Sequence, residues 1–205
     1  MKGPLWARVI SAVGHPLLMP LYTLLTLFAL NEYLQAHPTS FLYFGFILLV
    51  NTFGASISLY LLFRRGFIGD LEIRERAQRT WPFTLVLAYY SMTLYLVASD
   101  RSVHTPPEFV GMLLGVVVSI AGGIVATRWF KLSMHTMAAG GVVGAVFALG
   151  QIQFTSHFPF LVFWIVAAGL IGASRLALRA HTPPQVYAGF LWGALCMYAC
   201  VLLTA

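Results

Sequence analysis

The chain has 205 residues, 60% of them hydrophobic and only 9% charged, with a net charge of +6 at neutral pH and a mean hydropathy of +0.84. Soluble domains carry about 25% charged residues, so this composition excludes a soluble globular protein and points to a chain built for a bilayer. There is no basic low-complexity tail, so the positive charge does not argue for a nucleic-acid partner.

Apolar segments follow one another at 13–34, 41–63, 82–98, 108–127, 135–153, 159–177 and 185–204. A bilayer offers backbone N–H and C=O groups no other partner, so each segment is expected to be a helix. The expected fold class is therefore all-α: one polytopic integral membrane bundle over residues 1–205, with six to seven transmembrane helices. Lys2 and Arg8 precede the first segment without a small-residue cleavage site, so the N-terminus reads as leading into a retained span. His15-Pro16 and Pro20 interrupt that segment, which is either bent or re-entrant.

The connections alternate between two faces. Lys2, Arg8, Arg64, Arg65, Arg74, Arg76, Arg79, Arg128, Lys131, Arg175 and Arg179 fall on one, and Arg101 alone on the other. The positive-inside rule places the rich face in the cytoplasm, and the expected location is a bacterial inner (plasma) membrane. The span centres hold no Asp, Glu, Lys or Arg, which argues against a mid-membrane proton relay. Asn51, Ser56 and Ser58 are expected to hydrogen-bond between helices, and pairs such as Gly140 and Gly144 to permit close helix contact. Cys196 and Cys200, one helical turn apart, read as packing residues. His37, His104 and His157 on the poorer face show no metal-ligand spacing, so no metal or cofactor is expected.

Chemistry concentrates on the basic face, in three clusters. In the first, Asp70, Glu72, Arg74, Glu75, Arg76 and Arg79 precede Trp81-Pro82, forming either a solvated loop or an arginine clamp for an anion. The second is Lys131-Leu132-Ser133-Met134-His135 at a helix start, where free N–H groups and the helix dipole favour an anion. Ser133 there reads equally well as an N-cap. The third is Ser174-Arg175, five residues, His181, three residues and Gln185, closed by Pro183-Pro184. Arginine's planar fork suits phosphate, and histidine suits proton transfer or nucleophilic attack near neutral pH. The competing reading makes the arginines ordinary flank charges. His15 also lies near this face, either as a third site histidine or, the favoured reading, as a polar residue at a broken helix start.

Together the clusters resemble the type 2 phosphatidic acid phosphatase (PAP2-like) superfamily of membrane phosphatases over roughly residues 64–193, with residues 13–63 as extra N-terminal helices. That family carries a basic motif ending in Arg-Pro, a second motif Pro-Ser-Gly-His, and a third of Ser-Arg, five residues, His, three residues, Asp. Arg79-Thr80-Trp81-Pro82 is similar to a loosened first motif, and Leu132-Ser133-Met134-His135 keeps the Ser and His of the second. The third motif is matched in all but its last position, where Gln185 stands. The resemblance implies that Arg79, with Arg74 or Arg76, and Arg175 hold phosphate oxygens, with Ser133, Ser174 and Lys131 adding to the site. It further implies His181 as the nucleophile of a phosphohistidine intermediate, His135 as the acid for the leaving alcohol, and Gln185 as the group orienting His181. Substrates would be membrane lipids with phosphate or diphosphate headgroups, hydrolysed without a metal. In the family an Asp stabilises the histidine cation; here Asp70, Glu72 or Glu75 is a possible substitute. The alternative is a phospholipid or polyprenyl-phosphate binding or transport protein that retains the phosphate site.

Overall fold

The computed structural model describes residues 3–70, 73, 75–100 and 102–205. Among them are nine α-helices and no strand: α1 (Leu5–Val13), α2 (Met19–Leu30), α3 (Glu32–Ala36), α4 (Pro38–Arg64), α5 (Thr80–Ser99), α6 (Pro107–Ala126), α7 (Met134–Ile152), α8 (Phe158–Ala177) and α9 (Pro183–Thr204), with a short 3-10 turn at Arg76–Gln78. Six helical stretches, α4 to α9, are long and apolar enough to cross a membrane, which makes this an integral membrane protein with an all-α polytopic bundle. Their outward faces stay apolar: Leu42, Phe46 and Phe53 on α4 and Leu191 and Leu195 on α9 are exposed, as lipid-facing positions should be.

The first apolar segment is not the continuous span of residues 13–34 that its composition suggests. It breaks at Gly14, where α1 ends, and resumes at Met19. Pro16 and Pro20 account for the break, because a proline removes a helical N–H and crowds the preceding turn. At about 1.5 Å per residue α2 is only about 18 Å long, short of the roughly 30 Å hydrocarbon core. It still carries the chain from one end of the bundle to the other. At its far end Gln153 donates to the Leu30 carbonyl (3.0 Å), and Tyr33 donates to that of His104 (3.3 Å).

α7 is the central helix. Most of its residues are buried, and half of the buried ones are Gly or Ala: Ala139, Gly140, Gly141, Gly144, Ala145 and Ala148. It packs most closely on α9. A Cβ on Gly140 would strike the carbonyl of Phe190, and one on Gly193 that of Met137. Two helix backbones therefore touch, a contact open only to residues without side chains. Polar residues join the outer helices as expected in two of three cases. Asn51 donates to Thr93 Oγ1 on α5 (2.7 Å), and Ser58 shares a hydrogen bond with Tyr89 (2.9 Å). Ser56 instead donates to the Thr52 carbonyl of its own helix (2.7 Å), a back-bond that serines in membrane helices favour. Cys196 and Cys200 are free and buried. At the end away from the basic loops, His37 and His104 both pack on the ring of Tyr33 rather than standing apart.

Because the α7–α9 contact is backbone on backbone, Gly193→Val is expected to cost about 2–3 kcal/mol or prevent folding. Gly169→Val, where an added Cβ meets nothing, should be near neutral. Thermal unfolding of the detergent-solubilised variants measures both.

Candidate active site

The site lies where α7, α8 and α9 begin or end. α8 stops in a Schellman turn: Ala180 N–H donates to the Arg175 carbonyl (3.0 Å) and Arg179 N–H to that of Leu176 (2.9 Å). The left-handed position is held by Arg179 at φ +52°, not by glycine. A side chain there costs about 1–2 kcal/mol, offset by the buried contacts of Leu178 and Ala180 with Ala7. The turn leaves His181 just ahead of α9, buried, with Pro183-Pro184 starting that helix.

Gln185 fixes the ring of His181. It stands at the N3 position of α9, and its Oε1 accepts the Thr182 backbone N–H (3.3 Å) as half of a capping box. The same oxygen lies 3.0 Å from His181 Nδ1. A backbone N–H can only donate, so the atom facing both groups is the amide oxygen and Nδ1 must carry the proton. The lone pair of His181 is thereby placed on Nε2. Burial, then the charge of Arg79, pushes the pKa of His181 down from its ordinary value to about 3. Lys131 and Arg175 push the same way, and the hydrogen bond to Gln185 opposes them. At neutral pH the imidazole is uncharged.

His181 lines a cavity of about 320 Å³ together with Arg79, Arg175 and His135. Both arginines are buried. Arg79 Nε donates to the Ile73 carbonyl (3.0 Å) and its Nη1 to that of Leu132 (2.9 Å), tying the first cluster to the second. Arg175 Nη1 donates to Ser11 Oγ at 2.5 Å. The two cations repel each other, and Asp70 offsets part of the charge of Arg79.

Other residues singled out in the sequence fall elsewhere. Ser133 is wholly buried as the N-cap of α7; its N–H donates to the Gln185 carbonyl (3.1 Å) and its Oγ accepts from Thr136 N–H (3.5 Å). Ser174 donates its hydroxyl to the Ile171 carbonyl (2.7 Å) and is not part of the cavity wall. Lys131 donates to the Ala180 carbonyl (3.1 Å), bracing the loop that carries His181. Arg76 is exposed and donates to the Trp129 carbonyl (3.0 Å). Glu75 accepts from Gln78 (2.6 Å). Arg74 and Glu72, like Lys2 and Arg101, lie outside the described residues.

Two wall residues come from the N-terminal break. Ser11 Oγ accepts from Arg175 and also lies 3.4 Å from His135 Nε2, so one hydroxyl joins an arginine and a histidine. His15 lines the cavity with its ring edge-on to that of His135, centroids 5.5 Å apart. Leu17 N–H donates to His15 Nδ1 (3.3 Å), which leaves the proton of neutral His15 on Nε2. Gly14-His15-Pro16 was the available signal, a polar residue at a proline break facing the basic end. Thr182-Pro183-Pro184-Gln185 likewise spells a capping box.

A carboxylate at the Gln185 position stabilises the protonated imidazole, so Gln185→Glu should raise the His181 pKa from about 3 by roughly 1–3 units. Histidine NMR titration of the two proteins reads this. An unmoved midpoint would mean that residue 185 does not face Nδ1.

Residues 122–205 match the family model of the PAP2 superfamily, a region that takes in the end of α6, the Ser133–His135 cluster and the Ser174–Gln185 cluster. No curated protein and no solved structure matches the chain. The residues matched to the family model include His135, Arg175 and His181.

Proposed function

We propose that the protein is a metal-independent phosphatase of lipid phosphates or diphosphates, acting through a phosphohistidine on His181. The observation that carries this reading is a neutral, oriented histidine on the wall of a cavity shared with two buried arginines and a second histidine. Phosphoryl transfer needs positioning and positive charge around the equatorial oxygens more than any other contribution, and Arg79 and Arg175 supply both. The Nε2 lone pair of His181 forms the N–P bond while the ester P–O bond breaks and its electron pair leaves on oxygen. His135 gives that oxygen a proton. A water then attacks phosphorus, losing a proton to His135, and the N–P electron pair returns to Nε2. Ser11, bridging Arg175 and His135, holds the anion clamp and the proton donor in one register.

Gln185 sets the tautomer of His181, but its neutral amide does not offset an imidazolium as a carboxylate does. In other carboxylate–histidine pairs, replacing the acid by its amide costs orders of magnitude in rate. Slow turnover is therefore expected.

The test is phosphate release from a panel of lipid phosphates and diphosphates, wild type beside His181→Ala. Release should fall at least about 10³-fold in the variant, as loss of a nucleophile does. Because His181 stays neutral far below pH 6.5, kcat/KM should hold on the acid side down to about pH 5. No release from the wild type, with phosphate still bound, would make the chain an anion-binding or transport protein instead.

The charge bias puts the site at the cytoplasmic end of the bundle. A cysteine replacing Ser102, at the opposite end, should then react with an impermeant thiol reagent from outside the cell. Reaction only after the membrane is opened would reverse the orientation.

A further inference from the structure

The cavity does not end at the charged residues. Along α5 one helical stripe of its wall runs from Arg79 through Phe83 and Val86 to Tyr90, about 16 Å of helix rise. That is half the thickness of a hydrocarbon core. Val116 on α6, Gly141 on α7 and Met197 on α9 face the same space, so its lower part is walled by the interior of the bundle. At about 320 Å³ it is near the small end of ligand pockets. After a phosphate group has taken its share, one hydrocarbon chain fits and two do not.

We infer that this cavity is a one-chain slot: it accepts phosphate monoesters or diphosphates of a single unbranched or isoprenoid-type alcohol, headgroup at Arg79 and Arg175, tail toward Tyr90, and excludes two-chain phosphatidates. The inference rests on the phosphatase reading for its headgroup end and on the cavity alone for its tail end. A tail drawn into the bundle leaves the bilayer entirely, so the length of chain accepted is set by protein rather than by lipid. Gly141 is the position that controls this length. A Cβ added there meets the terminal methyl of Met197 at 3.4 Å and the Gly193 carbonyl at 3.9 Å, ordinary van der Waals contact, at a residue that lines the cavity.

The experiment uses alkyl phosphates from butyl to dodecyl, kept below their micelle concentrations, beside a dispersed diacyl phosphatidate. Binding is read by the thermal shift of the full chain carrying His181→Ala, which forms no phosphohistidine and so separates binding from turnover. Affinity should rise about threefold to fourfold per methylene while the tail is entering the slot, then level off. Adding Gly141→Leu to that variant should bring the plateau several carbons earlier and leave butyl phosphate unchanged. Phosphatidate should bind at least tenfold more weakly than the best single-chain ligand. Equal binding of phosphatidate, a plateau unmoved by Gly141→Leu, or no stabilisation by any alkyl phosphate would each overturn the slot. Absence of phosphate release from the wild type, with these binding trends intact, would count against the phosphatase reading alone.

Discussion

The backbone contact between α7 and α9 is the constraint on which the site depends. Because Gly140 and Gly193 carry no side chains, the two helices meet at their carbonyls. Their N-terminal ends then lie close enough for Ser133 N–H to reach the Gln185 carbonyl and for Thr136 to reach that of Val186. His135 opens one helix and His181 precedes the other, so the distance between the two histidines is set by glycine packing well below them. Arg175 joins the same place from the last turn of α8 and Arg79 from the start of α5.

Burying two guanidinium groups at one cavity is costly unless their donors are used and their charge is met. The first requirement is met in part with carbonyls and a hydroxyl: Ile73 and Leu132 for Arg79, Ser11 for Arg175. Toward the second, Asp70 offsets part of the charge of Arg79. On the phosphatase reading, a phosphate would meet these held donors at little cost of reorganisation. Burial, with the neighbouring cations, keeps His181 unprotonated and its lone pair available. Gln185 adds to this by choosing the tautomer without adding negative charge. On the phosphatase reading, such a site would favour attack by neutral nitrogen over stabilisation of the cation that attack produces.

Long apolar helices are legible because lipid exposure leaves every position along them hydrophobic, and α4 to α9 begin and end within a few residues of the apolar runs. His15-Pro16 and Pro20 mark the interruption of the first segment, but hydropathy does not show that α1 begins ahead of it, at Leu5. Motif spacing located Arg175, His181 and Gln185, three residues whose positions follow from helix ends. It was silent on direction. Ser174 occupies a motif position, yet its hydroxyl turns back to a carbonyl three residues earlier, and the hydroxyl of Ser133 caps its own helix. His15 stood out at the proline break, but Ser11 was out of reach of any local pattern, since it meets Arg175 and His135 across more than a hundred residues of chain.

The most direct measurement is covalent trapping. The protein is incubated with a lipid phosphate labelled on phosphorus, quenched in alkali, which preserves phosphohistidine, and mapped by peptide mass spectrometry. The account predicts the added phosphoryl group on the peptide containing His181, and its disappearance in His181→Ala. Phosphate released without any label at His181 would contradict it.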